Sequence, residues 1–258
     1  MSASLHYNSF GEGQPIIILH GLFGSSRNWQ SIARILAKNY QVITLDLRNH
    51  GQSEYADSMT YMEMAEDVLD LINELSLENL SLIGHSMGGK VAMINALQHP
   101  SLIEKLIVLD IAPVSYEHRY GKLFQAMQDL PLNQVKDRIE AGKILNNQVN
   151  DAFLSQFLLQ NLNRDENGFQ WRINLPAILN NIEYISGFPD IGTVIKYDKP
   201  ALFLGGKNSH FIQTGYHQTI RGYFPGAVIE LIENAGHMLH IEQPDILVDR
   251  IRQFIKYQ

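Results

Sequence analysis

The sequence predicts an α/β fold: a mostly parallel central sheet, flanked by helices on both faces, with a helical cap insertion. Three observations predict it. Short apolar runs rich in β-branched residues recur along the chain and end at Gly, Asp or Pro. Helix-like segments of about ten to fifteen residues separate them, the alternation that brings each strand back in the same direction. From about Ser115 to Gly192 that alternation stops and only amphipathic helical pattern remains.

The strands are expected at residues 16–19, 42–45, 80–83, 106–109, 201–204 and 228–232. Each is apolar nearly throughout, as a strand buried on both faces must be. Weak alternation around residues 5–8 admits an opening β-hairpin. Helices are expected at residues 29–38, 61–75, 87–98, 214–223 and 244–255, the last opening on Pro244 and Asp245, as a helix start prefers. In the interruption, Phe124, Met127, Ile139, Phe153, Phe157 and Leu158 recur at helical spacing. The division is therefore a core of residues 1–114 and 192–258 with a helical cap, or lid, of residues 115–191.

Bulk properties narrow the class. The 258 residues are 45% hydrophobic and 18% charged, ordinary usage for a soluble globular domain. A net charge of -7 with no long basic stretch argues against a nucleic-acid surface. The absence of cysteine excludes disulfides, thiolate catalysis and cysteine-metal sites. Residues 1–10 lack the basic start and apolar run of a signal peptide, and no segment approaches the ~20 apolar residues of a membrane span. The expectation is a cytoplasmic protein without membrane insertion, cofactor or metal.

The sharpest chemistry lies in Leu80-Ser-Leu-Ile-Gly-His-Ser-Met-Gly-Gly-Lys90. Its Gly84-x-Ser86-x-Gly88 follows a strand and opens a helix, the context in which this motif carries a nucleophilic serine. Glycines two residues to either side remove the Cβ atoms that a tight strand-to-helix turn would crush. The Met87 amide, at the helix N-terminus, can then donate to a developing oxyanion. A second donor is expected from the loop after His20-Gly21: Leu22 first, Phe23 next. His237, in the loop after the last strand, is the expected base. His240, three residues on, reads as a packed residue, because the further ligands a metal would need are not evident. His20, His50 and His85 read as structural loop residues.

The residues His20-Gly-Leu-Phe-Gly-Ser-Ser-Arg-Asn28, Asp46-Leu-Arg-Asn-His-Gly-Gln-Ser53, Gly84-His-Ser-Met-Gly-Gly-Lys90, Asp110-Ile-Ala-Pro-Val114 and Trp171-Arg-Ile-Asn174 resemble the α/β-hydrolase fold. Within it they resemble the YbfF-type bacterial carboxylesterases. Arg48-Asn-His-Gly51, where most relatives have Arg-Gly-His-Gly, and the Asp-Ile-Ala-Pro run point to that narrower group. The resemblance implies a Ser-His-Asp triad acting on short-to-medium acyl esters, and extends to acyl-CoA thioesters. A binding protein without turnover, or a C–C hydrolase or lyase of the same fold, is the alternative.

The acid is the open question. The loop Leu204-Gly-Gly-Lys-Asn-Ser-His210 should deliver a carboxylate to the histidine, and offers only Asn208 and Ser209. Asp198 precedes its strand, at the wrong end of the sheet. Asp46 more naturally fixes its own turn, and Glu233 serves only if its loop doubles back. Asp110 directly ends the strand after the nucleophile's helix, and the fold sets that strand beside the nucleophile strand, ~4.8 Å away. Ser86, Asp110, His237 also keeps the fold's chain order, and the resemblance implies an acid at that place. Asp110 is the expected acid, with Asn208 its closest rival.

Phe23 and Trp171 are the expected substrate contacts. Phe124, Met127, Phe153, Phe157, Ile178, Tyr184 and Phe188 are further lining candidates, most of them expected simply to pack. Arg119, Lys122 and Arg172 are candidate partners for an anionic group such as coenzyme A phosphates. Lys90, in the first turn of the nucleophile helix, opposes the helix dipole and either reaches a carboxylate or substrate group or stays solvated.

Overall fold

The computed structural model describes residues 2–117, 121–166, 168–192 and 195–256. The chain opens with β1 (Tyr7–Phe10) and β2 (Pro15–Leu19), then a 3-10 turn (Ser26–Trp29) leads into α1 (Gln30–Leu36). Next come β3 (Gln41–Leu45), α2 (Tyr61–Glu74), β4 (Leu80–His85), α3 (Met87–Gln98) and β5 (Ile103–Leu109). The segment that follows holds α4 (Gly121–Gln128), α5 (Arg138–Val149), α6 (Ala152–Leu159), β6 (Leu162–Asp165), β7 (Gly168–Trp171), α7 (Leu175–Asn180) and α8 (Ile182–Ser186). After it come β8 (Ala201–Gly206), a 3-10 turn (Thr214–Tyr216), α9 (His217–Tyr223), β9 (Val228–Ile232), α10 (Leu239–Glu242) and α11 (Pro244–Lys256).

Seven strands form one sheet in the order β1-β3-β2-β4-β5-β8-β9. All neighbours are parallel except β1, which pairs antiparallel with β3. The opening hairpin therefore does not form: β2 already has β3 and β4 on its two edges, so the free edge of β3 is the position left for β1. Period-two alternation splits each strand between two cores. Ile17, Leu19, Leu82, Leu106, Val108 and Phe203 face one side with α2, α3 and α9. Ile16, Ile18, Ile83, Ile107, Leu202 and Leu204 face the other with α1 and α11. Each such fully buried side chain contributes ~1.5–3 kcal/mol.

Between β5 and β8 the structure differs from the all-helical expectation. β6 and β7 pair as an antiparallel hairpin, Leu162 opposite Trp171. Its first strand, Leu-Asn-Arg-Asp, has one apolar residue and so shows no apolar run. The Asn167-Gly168 dipeptide was the available signal. Asparagine side chains tie this segment to the rest. Asn161 Nδ2 donates to Phe23 O at 2.7 Å, Asn181 Nδ2 to Asp57 O at 2.9 Å, and Asn174 Nδ2 to Asn49 Oδ1 at 3.0 Å. Asn49 itself has φ 65°, a left-handed backbone that Gly and Asn tolerate best.

Candidate active site

β4 ends at His85 and α3 begins at Met87, so Ser86 alone must turn the chain. It does so at φ 51° and ψ -117°, strained for a residue with a Cβ. A Cβ on Gly84 would meet Gly88 O at 2.2 Å, and one on Gly88 would meet His20 O at 2.5 Å. Both flanking glycines are therefore required by backbone contact. The Ser86 N–H donates to Leu109 O at 2.9 Å, pinning the turn to the end of β5.

Ser86, His237 and Asp110 come together at the C-terminal rim of the sheet. The distance from Ser86 Oγ to His237 Nε2 is 3.1 Å, and from His237 Nδ1 to Asp110 Oδ2 is 2.7 Å. This network fixes the tautomer: Nδ1–H donates to the carboxylate and Nε2 accepts from the serine hydroxyl. Asp110 is fully buried, and a buried carboxylate needs donors on its oxygens. The Gly206 N–H reaches Oδ1 at 3.0 Å, and the Ser209 hydroxyl donates to Oδ2 alongside His237. Ser209 was missed by sequence reasoning, which looked in that loop for an acid and not for a donor. Asn208 uses its backbone N–H on Ala235 O at 2.9 Å. Asp46 accepts from the Ser26 and Gln52 amides at 2.7 and 2.9 Å, fixing its own turn, and Glu233 pairs with Lys207.

The two oxyanion candidates are now separable. The Phe23 amide donates to His50 Nε2 at 3.2 Å, whereas the Leu22 amide has no partner among the described residues. Met87 is the first residue of α3, where amides have no intrahelical acceptor. Leu22 and Met87 are thus the free donors beside Ser86.

Four further imidazoles support this rim in neutral form. Burial drives the pKa of His50 down to about 3 and that of His240 to about 4, and lowers those of His20 and His85. His20 takes the Leu47 N–H on Nε2 at 2.9 Å and faces Gly21 O through Nδ1 at 2.8 Å. His85 Nε2 donates to the backbone carbonyl of His237 at 2.8 Å. His240 stacks on Trp29, ring centroids 4.5 Å apart, and its buried Nδ1 has no partner among the described residues. Among the described residues no group of three or more His, Asp or Glu is arranged to hold a metal.

The family model described as alpha/beta hydrolase fold matches residues 14–244. Esterase YbfF of Escherichia coli (strain K12) is 35% identical over 93% of this chain and 92% of its own. The sn-1-specific diacylglycerol lipase ABHD11 of Danio rerio is 38% identical over 98% of this chain and 83% of its own. A solved structure described as a marine microorganism esterase superposes with TM-score 0.95 at 40% identity, covering 98% of this chain and 100% of that one. The chain belongs to the α/β-hydrolase family.

This hydrolase, a serine hydrolase by that membership, has two cavities that meet at Ser86. The first, about 370 Å³, runs past His237 and is lined by Phe23, Leu123, Phe153, Leu154 and Phe157. The second, about 770 Å³, runs past Met87 and Lys90 and is lined also by Tyr61, Ser186 and Tyr116. Leu22, Leu123 and Phe211 border both. Phe23 thus stands where a substrate contact was expected. Trp171 does not: its indole N–H donates to Met127 O at 3.1 Å, and it lines neither cavity. As part of β7 it packs the segment's own small core.

Of the other lining candidates, Phe153 and Phe157 border the first cavity, while Phe124, Met127 and Ile178 are buried in the main core. Tyr184 is exposed, as is Ile139, and Phe188 packs on Tyr223. Lys122 is exposed, and Arg172 lies in a separate small pocket with Asp46 and Arg27. Neither reaches the cavities at Ser86, and Arg119 lies outside the described residues. Lys90 is the largest departure. It is 1% exposed, donates to Ser186 O at 3.1 Å and to Gly187 O, and lies over the rings of Tyr61 and Tyr116. No helix among the described residues is long and apolar enough to cross a membrane.

Proposed function

We propose that this hydrolase is a serine carboxylesterase acting on oxygen esters with short-to-medium acyl groups. Ser86 Oγ attacks the ester carbonyl while its proton passes to His237 Nε2, and Asp110 stabilises the imidazolium through Nδ1–H. The Leu22 and Met87 amides receive the oxyanion. Collapse breaks the acyl–oxygen bond, and His237 returns the proton to the departing alcohol. A water, deprotonated by His237, then cleaves the acyl-Ser86 ester, releasing the carboxylic acid and restoring the serine hydroxyl.

The observation that carries this reading is the unbroken relay from Ser86 through His237 to Asp110, at 3.1 and 2.7 Å. Residues 115–191 act in it as a cap over the core of residues 1–114 and 192–258, with Phe153 and Phe157 closing the first cavity from above Ser86. Acyl-CoA thioesters are the weaker substrate class, because Lys122 and Arg172 stand away from both cavities.

The test is covalent labelling with a fluorophosphonate, followed by turnover of para-nitrophenyl butyrate. The wild type should label rapidly and the Ser86→Ala variant not at all, with turnover lost by about 10⁴–10⁶-fold. A folded wild type that neither labels nor hydrolyses the ester would sink the reading in favour of a binding protein.

A further inference from the structure

Two cavities at one serine pose the question of which end of an ester enters which. The leaving oxygen must lie beside His237 Nε2, since that atom returns its proton. His237 lines the first, apolar cavity and not the second. Phe211, its ring 4.2 Å from that of His237, stands on the side they share. The alcohol therefore leaves through the first cavity, and the acyl group extends into the second.

The second cavity contains an unusual cation. Lys90 lies one helical turn beyond Ser86, and helical side chains lean toward the N-terminus, here toward the nucleophile. Its ammonium has three N–H donors, and among the described residues two are used, on Ser186 O and Gly187 O. No carboxylate pairs with it among the described residues. Burying a charge without a counter-ion is costly, and burial holds the pKa of this lysine down to about 7. Beside it, Ser186 lines the same cavity, and its buried hydroxyl has no hydrogen-bond partner among the described residues. Two donors with capacity left among the described residues thus adjoin one another in the wall of the acyl cavity. Glu117, the acid bordering this cavity, is exposed at its rim.

We propose that Lys90 and Ser186 form a recognition site for a carboxylate at the far end of the acyl group, so that the preferred substrates are half-esters of short dicarboxylic acids. One carboxylate oxygen takes the third Lys90 N–H and the other takes the Ser186 hydroxyl. The ~6 Å rise of one helical turn between Ser86 and Lys90 suits a diacid of roughly four to six carbons. This specificity rests on the esterase reading above, but its failure is separately visible.

The experiment compares kcat/KM for the mono-para-nitrophenyl ester of glutaric acid with that for para-nitrophenyl valerate, which has the same chain length without the charge. The wild type should favour the half-ester by at least about tenfold, the discrimination of one charge-assisted contact. Lys90→Met should abolish that preference, and Ser186→Ala, a milder change, should cut it several-fold. A merely structural Lys90 would lower both substrates together and leave their ratio unmoved, which overturns the proposal. Should Lys90→Met not fold, the wild-type ratio and its change in Ser186→Ala decide the matter. Parity or a preference for valerate in the wild type also overturns it, while Ser86-dependent hydrolysis of valerate keeps the esterase reading standing.

Discussion

The turns that end β5 and β8 are neighbours on the same rim of a parallel sheet, and both reach the loop of His237, yet they divide the work. The turn after β5 carries the carboxylate of Asp110, at a left-handed φ of 50°. The turn after β8 carries none and instead supplies the Gly206 amide and the Ser209 hydroxyl to that carboxylate. Adjacent strands of a parallel sheet open onto one crevice. A charge can therefore stand on either strand, provided the other turn satisfies its remaining lone pairs. The loop that lacks an acid is the acid's solvation shell.

The largest effect that would break this comparison comes from the carboxylate itself. Asp110→Asn keeps a residue tolerant of the left-handed backbone but loses the charge, and turnover of an aryl ester should fall by about 10³–10⁴-fold. Asn208→Ala, in the turn without the acid, should change it less than about twofold. The reverse ranking would show the division of labour to be wrong.

Protonation of the third neighbouring rim, the loop after β9, is expected to matter next. His240 is held neutral by burial, with its pKa lowered from 6.5 to about 4. The unfolded chain therefore binds a proton that the folded chain refuses, and stability is lost as pH falls from 6.5 toward 4. This group's share is roughly 3 kcal/mol. His240→Phe, which preserves the stack on Trp29, should flatten that acid limb in urea unfolding measured at pH 7 and pH 4.5. An unchanged slope between the two pH values would mean that another buried histidine carries the loss.

Smaller effects sharpen the comparison. In the double variant Asp110→Asn with Ser209→Asp, the charge crosses to the neighbouring turn, and turnover should recover about tenfold over Asp110→Asn alone. No recovery would mean that only the β5 turn can aim a carboxylate at His237 Nδ1. Ser209→Ala alone removes one donor from a buried carboxylate and should cost about three- to tenfold in kcat. An effect below twofold would make that hydroxyl dispensable.

How much of this was legible in the sequence depends on how local the signal is. Ser86 stood out because its motif sits between a strand and a helix, although only Gly84 is demanded by local contacts and Gly88 answers to the end of β2. Six of the seven sheet strands and the flanking helices followed from apolar period, since burial on both faces leaves an almost uninterrupted signature in the inner strands, although the edge strand β9 is apolar yet partly exposed at Val228 and Leu231. His237 and Asp110 needed only a strand end and the chain order of the fold. Ser209 was invisible in its donor role, because a hydroxyl that serves a residue 99 positions away has no neighbouring pattern. Trp171 misled for the same reason: its partner, Met127, is fixed by how the segment between β5 and β8 packs on itself. Lys90 was left between a carboxylate or substrate partner and solvent, because the carbonyls of Ser186 and Gly187 and the rings of Tyr61 and Tyr116 that cover it are distant in sequence.

His85 stands immediately before Ser86 and donates to the backbone carbonyl of His237. A single imidazole thus ties the end of β4 to the loop after β9, three places away in the sheet.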